Sequence, residues 1–164
     1  TVVGEYARQE AERLARTVAE QLADFFGGST GDHPAAAVAD AIKRAEAMTG
    51  SKERDGLCLR FVRESYGLDS GFDSAKIARE YYASRGVLNT DGWENAPQGS
   101  WLFFKYPNGH VAIKTGSDRL IDAFEGATDG IQHRPISTYK NGWYRKNFLG
   151  WVSAEDALRH WQPD

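Results

Sequence analysis

The chain has 164 residues, the length of one domain that can bury a hydrophobic core without disulfide bonds. Hydrophobic residues make up 41% and charged residues 26%, and a formal net charge of −3 argues against nucleic acid as a partner. The one cysteine excludes an internal disulfide, and no Cys/His cluster has zinc spacing, so we expect neither a metal nor a cofactor. No segment is long and apolar enough to span a membrane, so we expect no membrane insertion, and no signal peptide is recognisable in these residues.

The first fifty residues carry two amphipathic helical patterns. Residues 5–26 combine an apolar stripe with a face of Glu, Arg and Gln, and a glycine-rich link follows at 27–31. A second helix is predicted from Pro34, which suits the first helical position, with Asp32 or His33 as its cap. The predicted buried stripes are Leu14, Val18, Leu22 and Phe25 in the first helix, and Val38, Ile42, Ala45 and Met48 in the second.

The only cysteine lies in a short predicted helix between Gly56 and Gly67. Asp55 and Gly56 are cap-type residues, so Cys58 is expected in the first turn, and Gly67 is expected to end the helix. Leu57, Phe61 and Ser65 fall on one helical face, with Val62 beside them, which is the pattern that predicts the helix. A thiol at a helix N-terminus faces unpaired N–H groups, which lower its pKa from the free value of about 8.5.

The second half of the chain changes from helical to strand periodicity. A helix is predicted over residues 74–84, with Ile77, Ala78, Tyr81 and Tyr82 directed inward. Antiparallel strands follow, and Ser153 is expected to cap a last helix from Ala154 to Trp161. The predicted strands are Trp101–Phe104, His110–Thr115, Leu120–Phe124, Ile131–Ile136 and Phe148–Val152. Helices first and a strand meander afterwards indicate an α+β domain.

Cys58 and His110 form the most informative pair in the sequence. A cysteine on a helix and a histidine at the start of a later strand are typical of a papain-like nucleophile and base, which meet only in the folded chain. The alternative is an inert buried thiol, since free cysteine packs as a small hydrophobe, together with a partly exposed loop histidine. Among the tryptophans, Trp101 and Trp151 are expected in the core, and Trp93 and Trp143 at a cleft wall.

From Val38 to Val152 the chain resembles the NlpC family of papain-like cell-wall peptidases. The resemblance is carried by the cysteine helix, by the run Pro97 to Phe104, by Gly109-His110-Val111-Ala112-Ile113 and by Arg119 to Phe124. It implies a papain-like core, with N-terminal helices packed on a small antiparallel sheet of about five or six strands. It implies one catalytic domain over 1–164, with an additional helix at about 5–26.

The same resemblance implies a function and a location. The expected substrate is a stem peptide of bacterial peptidoglycan, and the expected reaction is hydrolysis of an amide bond through a thioester. By position, Cys58 is the nucleophile, His110 the base and Asp122 the third residue that orients the imidazole. Members of the family act outside the cytoplasm, so a secreted or cell-envelope location is favoured.

Two differences from the family leave other functions open. Leu57-Cys58-Leu59-Arg60 stands where the family has Asp-Cys-Ser-Gly, and the aromatic and glycine motif that normally precedes the cysteine is absent between Thr49 and Gly56. The alternatives are a CHAP-like amidase, a deamidase or an acyltransferase with the same triad. A further alternative is a degenerate, non-catalytic wall-binding module.

Strand parity decides which carboxylate can reach His110. Side chains alternate between faces, so a two-residue turn at Ser117-Asp118 would place Glu125 opposite His110 and turn Asp122 away. A three-residue connection would place Asp122 opposite His110 instead. The sequence alone does not choose between the two connections, but the resemblance implies Asp122, which occupies the family's third-residue position. We therefore predict an odd connection or an equivalent bulge, with Asp122 accepting a hydrogen bond from one imidazole nitrogen and the other nitrogen facing Cys58.

Overall fold

A computed structural model describes residues 34–105 and 108–164 of the chain. The helix predicted at 5–26, the link after it and the cap at Asp32 or His33 lie outside the described residues. The described part contains five α-helices: α1 (Pro34–Ala47), α2 (Cys58–Ser65), α3 (Ala75–Ser84), α4 (Trp143–Asn147) and α5 (Ala154–Arg159). It also contains five strands: β1 (Trp101–Phe104), β2 (His110–Gly116), β3 (Arg119–Asp122), β4 (Gln132–Pro135) and β5 (Phe148–Val152).

The strands form one antiparallel sheet in the order β4-β3-β2-β1-β5, which confirms the predicted α+β class and strand number. Alternation along the strands gives the sheet two apolar faces. Trp101, Phe103, Val111 and Ile113 pack with residues of α1, α2 and α3 in the main core. A second cluster lies on the other face of the sheet, under the segment that carries α4; its strand residues are Leu102, Phe104, Ala112 and Leu120.

Helix α2 begins and ends for different local reasons. Its N-cap is Leu57, which makes no capping bond because its side chain has no acceptor. The carboxylate of Asp55 accepts a hydrogen bond from the N–H of Gly126 at 2.7 Å and does not cap the helix. At the other end Gly67 has φ +71°, and the N–H groups of Gly67 and Leu68 bond the carbonyls of Glu64 and Arg63. This is a Schellman motif, so Gly67 ends the helix as predicted.

Two apolar residues of the helical patterns are exposed. Leu57 is 41% exposed and Leu59 is buried instead, because Leu57 is the cap residue, lies outside the helix and does not follow its four-residue spacing. Ile77 is 45% exposed, since the buried stripe of α3 runs through Ala75, Ala78 and Tyr82. The prediction that Ile77 points inward was therefore wrong.

Other differences concern element ends. β1 and β5 have the predicted bounds, whereas β3 ends at Asp122, β4 spans four residues and α5 ends at Arg159. Helix α4 was not predicted, because it has only five residues and follows a turn in which Lys140, Asn141 and Gly142 all have positive φ. No helix in the described ranges is long and apolar enough to cross a membrane.

Candidate active site

Cys58 is the first residue of α2 and is half-buried at the wall of a cleft of about 720 Å³. The backbone N–H groups of a first helical turn have no partner within the helix and point beyond its N-terminus. A negative charge is stabilised there by these groups and by the helix dipole. The cleft lies between this helix end, the 70–75 segment, the start of β2 and the chain after β3.

His110, the first residue of β2, is only 4% exposed and lines the same cleft. Its Nε2 lies 2.8 Å from Oδ2 of Asp122 at the end of β3. The other face of the site is aromatic: the His110 ring lies between 5.6 and 6.4 Å, centroid to centroid, from the rings of Phe104, Phe124, Trp143 and Tyr144. The thiol of Cys58 hydrogen-bonds the imidazole, which leaves Nδ1 as the nitrogen that faces it.

A β-bulge brings Asp122 to the face of His110. The connection is the two-residue turn Ser117-Asp118, and Gly116 pairs with Arg119. The register then shifts, so that Lys114 pairs with Leu120 and Ile113 with Ile121. With the two-residue turn alone, Asp122 would lie on the opposite face of the sheet from His110. The bulge adds one residue to β2 and so returns Asp122 to the face of His110. Asp122 therefore shares a face with His110, and Glu125 is exposed at the rim of the cleft instead.

Burial and pairing act in opposite directions on the two titratable groups. Burial would raise the pKa of Cys58, yet its hydrogen bond and charge interaction with His110 and a backbone hydrogen bond from Val111 leave that pKa below its ordinary value. Burial would lower the pKa of His110, but the bonds to Asp122 and Cys58 raise it well above 6.5. Both directions favour a thiolate–imidazolium pair near neutral pH.

Asp122 has two further partners that the sequence reasoning missed. Arg134 Nε donates to Oδ1 at 2.9 Å, and the hydroxyl of Tyr144 donates to Oδ2. Arg134 is 2% exposed and belongs to β4, where it pairs with Leu120. Arg134 therefore shares a face with Asp122, so strand parity was the signal that could have found it. Tyr144 lies in α4, which carried no recognisable pattern.

The tryptophan predictions had mixed outcomes. Trp143 lines the cleft, as predicted, and Trp101 is fully buried in the core. Trp93 is 8% exposed and packs against Phe148 at a centroid distance of 5.8 Å, so the prediction of a cleft position was wrong. Trp151 is only half-buried, because its indole N–H reaches the exposed carboxylate of Asp91 at 3.0 Å.

No known family model matches the sequence, and no curated protein matches it. The solved structures that are similar in fold include two bacterial proteins. One is an NLP/P60 family protein, described as similar to a lipoprotein, from Staphylococcus aureus subsp. aureus Mu50; it matches with a TM-score of 0.50 and 18% identity over 72% of this chain. The chain spans only 41% of that protein's length.

The other is the peptidoglycan hydrolase RipB from Mycobacterium tuberculosis. It matches with a TM-score of 0.51 and 18% identity, over 92% of this chain and 87% of RipB. The chain therefore shares the fold of these two proteins, which confirms the resemblance at the level of the fold.

Proposed function

We propose that the chain is a cell-wall hydrolase that cleaves an amide bond in peptidoglycan stem peptides through Cys58, His110 and Asp122. The observation that carries this proposal is the hydrogen-bonded series from the Cys58 thiol through His110 to Asp122 at the wall of an open cleft. A nucleophile, a base and a group that orients the base are the three components of this kind of catalysis.

The proposed reaction is acyl transfer to water. The Cys58 thiolate attacks the amide carbonyl, and the backbone N–H of Cys58 at the helix start stabilises the oxyanion. The imidazolium of His110 gives its proton to the leaving amine as the C–N bond breaks, which leaves a thioester. His110 then takes a proton from water, the new C–O bond forms and the thiolate departs. Asp122 keeps Nε2 of His110 hydrogen-bonded throughout, so the ring orientation does not change.

The substrate class is supported by the structural neighbour RipB, which is a peptidoglycan hydrolase. The cleft offers both apolar and charged walls: Leu57, Phe72 and Trp143 on the one hand, Arg60 and Glu125 on the other. A peptide with several charged groups suits such a mixed surface. We propose the cell envelope as the place of action, because that is where the proposed substrate, peptidoglycan, is found.

Digestion of purified peptidoglycan tests this function. We expect the wild-type chain to release stem-peptide fragments, identified by mass spectrometry, and Cys58→Ala to release none. Removing a half-buried Sγ costs about 1–2 kcal/mol of stability, so the variant should retain a native circular-dichroism spectrum. Release by a natively folded Cys58→Ala variant at the wild-type rate would contradict the nucleophile assignment.

A second candidate uses the same three residues on another acyl bond, as an amidase, a deamidase or an acyltransferase. The exposed Leu57 and the arginine Arg60 at the cleft favour it, since they replace the acidic residue and the glycine of the family sequence. Deamidation or transfer to an added amine would leave the stem-peptide backbone uncleaved, so the same mass spectra distinguish the two. A non-catalytic wall-binding module would bind peptidoglycan and release no fragment.

A further inference from the structure

Both carboxylate oxygens of Asp122 are hydrogen-bonded. Oδ2 accepts from His110 Nε2 and from Tyr144, while Oδ1 accepts from Arg134 Nε at 2.9 Å. The side chain of Asp122 is completely buried, and that of Arg134 is 2% exposed. A buried carboxylate stays ionised only when a paired charge and hydrogen bonds replace the lost water. Arg134 provides a permanent positive charge at this carboxylate, because a guanidinium does not titrate in proteins.

The guanidinium itself is held at every nitrogen. Nε binds Asp122; Nη1 lies 3.2 Å from a carboxylate oxygen of Asp129 and 3.2 Å from the hydroxyl of Tyr139; Nη2 donates to the carbonyl of Gly130 at 2.6 Å. The guanidinium carbon Cζ also lies over the Tyr139 ring, 4.9 Å from the ring centroid. This arrangement fixes the direction of Nε, which in turn fixes the rotation of the Asp122 carboxylate about its own axis.

We propose that Arg134 is a positioning residue: acting through Asp122, it keeps the Cys58–His110 pair in its ionised form. The inference rests on the proposed function, because it assigns the residue that tunes the same site. Arg134 itself does not line the cleft, so it touches neither the substrate nor the reacting atoms.

Charge balance explains the effect. Thiolate, imidazolium, carboxylate and guanidinium sum to zero, whereas without Arg134 the same buried cluster would carry one net negative charge. If Asp122 then stayed ionised, its unopposed charge would disfavour the Cys58 thiolate. If Asp122 took up a proton, His110 would lose the carboxylate that stabilises its charged form, and the thiolate would lose its imidazolium. Both routes raise the pH at which the thiolate forms.

Other titratable and charged groups surround this cluster. Tyr144 contacts Asp122, and Tyr139 and Asp129 contact Arg134. The charged groups along the cleft are Arg60, Arg63, Asp73, Glu125 and Asp164. For the pKa of His110, the hydrogen bond to Asp122 is the largest influence after burial. For the pKa of Cys58, burial, the contact with His110 and the backbone bond from Val111 all come before the charge of Asp122. The effect of Arg134 therefore runs through Asp122 to His110 and from there to the thiol.

The test is the pH dependence of iodoacetamide alkylation in the full chain. Cys58 is the only cysteine, so labelling reports one site. The acid limb is the pH range over which the alkylation rate rises as the Cys58 thiolate forms. For Arg134→Met we expect the midpoint of this limb to move up by about one pH unit or more. For Arg134→Lys, which keeps the charge, we expect a shift of less than about half a unit. Asp129→Asn is the matched control: it loses a contact to the same guanidinium at a carboxylate that is 55% exposed, and should not shift the limb.

The outcomes separate the two proposals. An unchanged acid limb in a natively folded Arg134→Met variant would overturn the inference, since a merely structural role lowers melting temperature without moving the limb. If Arg134→Met does not fold, Arg134→Lys decides, because a shift of a full unit in spite of the retained charge would overturn it. A wild-type limb at the position of a free thiol would overturn the proposed function, and the inference with it.

Discussion

The three proposed site residues lie at the ends of their elements. Cys58 is the first residue of α2, His110 is the first residue of β2 and Asp122 is the last residue of β3. Element ends are where unpaired backbone groups and a half-open environment occur together. Burial alone would make Cys58 a poor nucleophile, because it favours the neutral thiol. The hydrogen bond and the charge of His110 outweigh it, so the direction of the Cys58 pKa is a net result of two opposed effects.

The two carboxylates near His110 give a matched pair of variants. Asp122→Asn removes the charge that stabilises the imidazolium, so we expect turnover to fall by about 10²- to 10⁴-fold. Glu125→Gln should leave turnover within about twofold, because this exposed side chain does not bond the imidazole and a rim charge contributes little. Initial rates of stem-peptide release measure both.

Stability must be followed in the same variants. Asp122→Asn leaves the buried Arg134 with only the exposed carboxylate of Asp129 as a counter-charge, which costs up to about 3–5 kcal/mol. The rates are therefore compared at a temperature at which both variants have native circular-dichroism spectra. Equal loss of turnover in Glu125→Gln and Asp122→Asn would contradict the assignment of Asp122 as the residue that orients His110.

At the scale of elements, much of the fold could be predicted from sequence. Continuous apolar runs such as Trp101–Phe104 and Phe148–Val152 identify strands and their bounds, because such runs fit only a sheet with both faces covered. Leu57 and Ile77 show that hydrophobicity alone does not predict which positions of a helix are buried. Hydrophobicity favours burial at each position, but the position of the cap and the packing direction of a helix are set by tertiary contacts.

The site could be predicted in part. Residue type and order pointed to Cys58 and His110, the family resemblance pointed to Asp122, and parity reduced the choice of carboxylate to a question about one bulge. The bulge itself has no signature in the Thr115–Asp118 segment. Arg134 was missed because a single arginine in a strand is usually solvated, although the parity of β4 places it on the face of Asp122, where it is buried.

On the scale of the whole molecule, helices cover one face of the sheet and the cleft opens at the helix ends. We propose that the helix predicted at 5–26 is part of the same domain, because its apolar stripe needs a surface to cover it. Deleting residues 1–30 should then lower the melting temperature or change the oligomeric state, as measured by calorimetry and light scattering. If both stay at their wild-type values, this docking proposal is wrong.

The central claim is that Cys58 is activated by His110, and the most direct measurement is the alkylation rate of Cys58 from pH 4 to 10 in the wild type and in His110→Ala. Because the pKa of Cys58 is lowered and that of His110 is raised, the wild-type rate should reach its plateau well below the free-thiol pKa of about 8.5. In His110→Ala the pKa of Cys58 loses both contributions of His110, which lower it. Burial and the charge of Asp122, which raise this pKa, are then opposed only by the backbone bond from Val111, so the limb should move to the free-thiol value or above it. Identical limbs in the two proteins, both at the free-thiol position, would contradict the account.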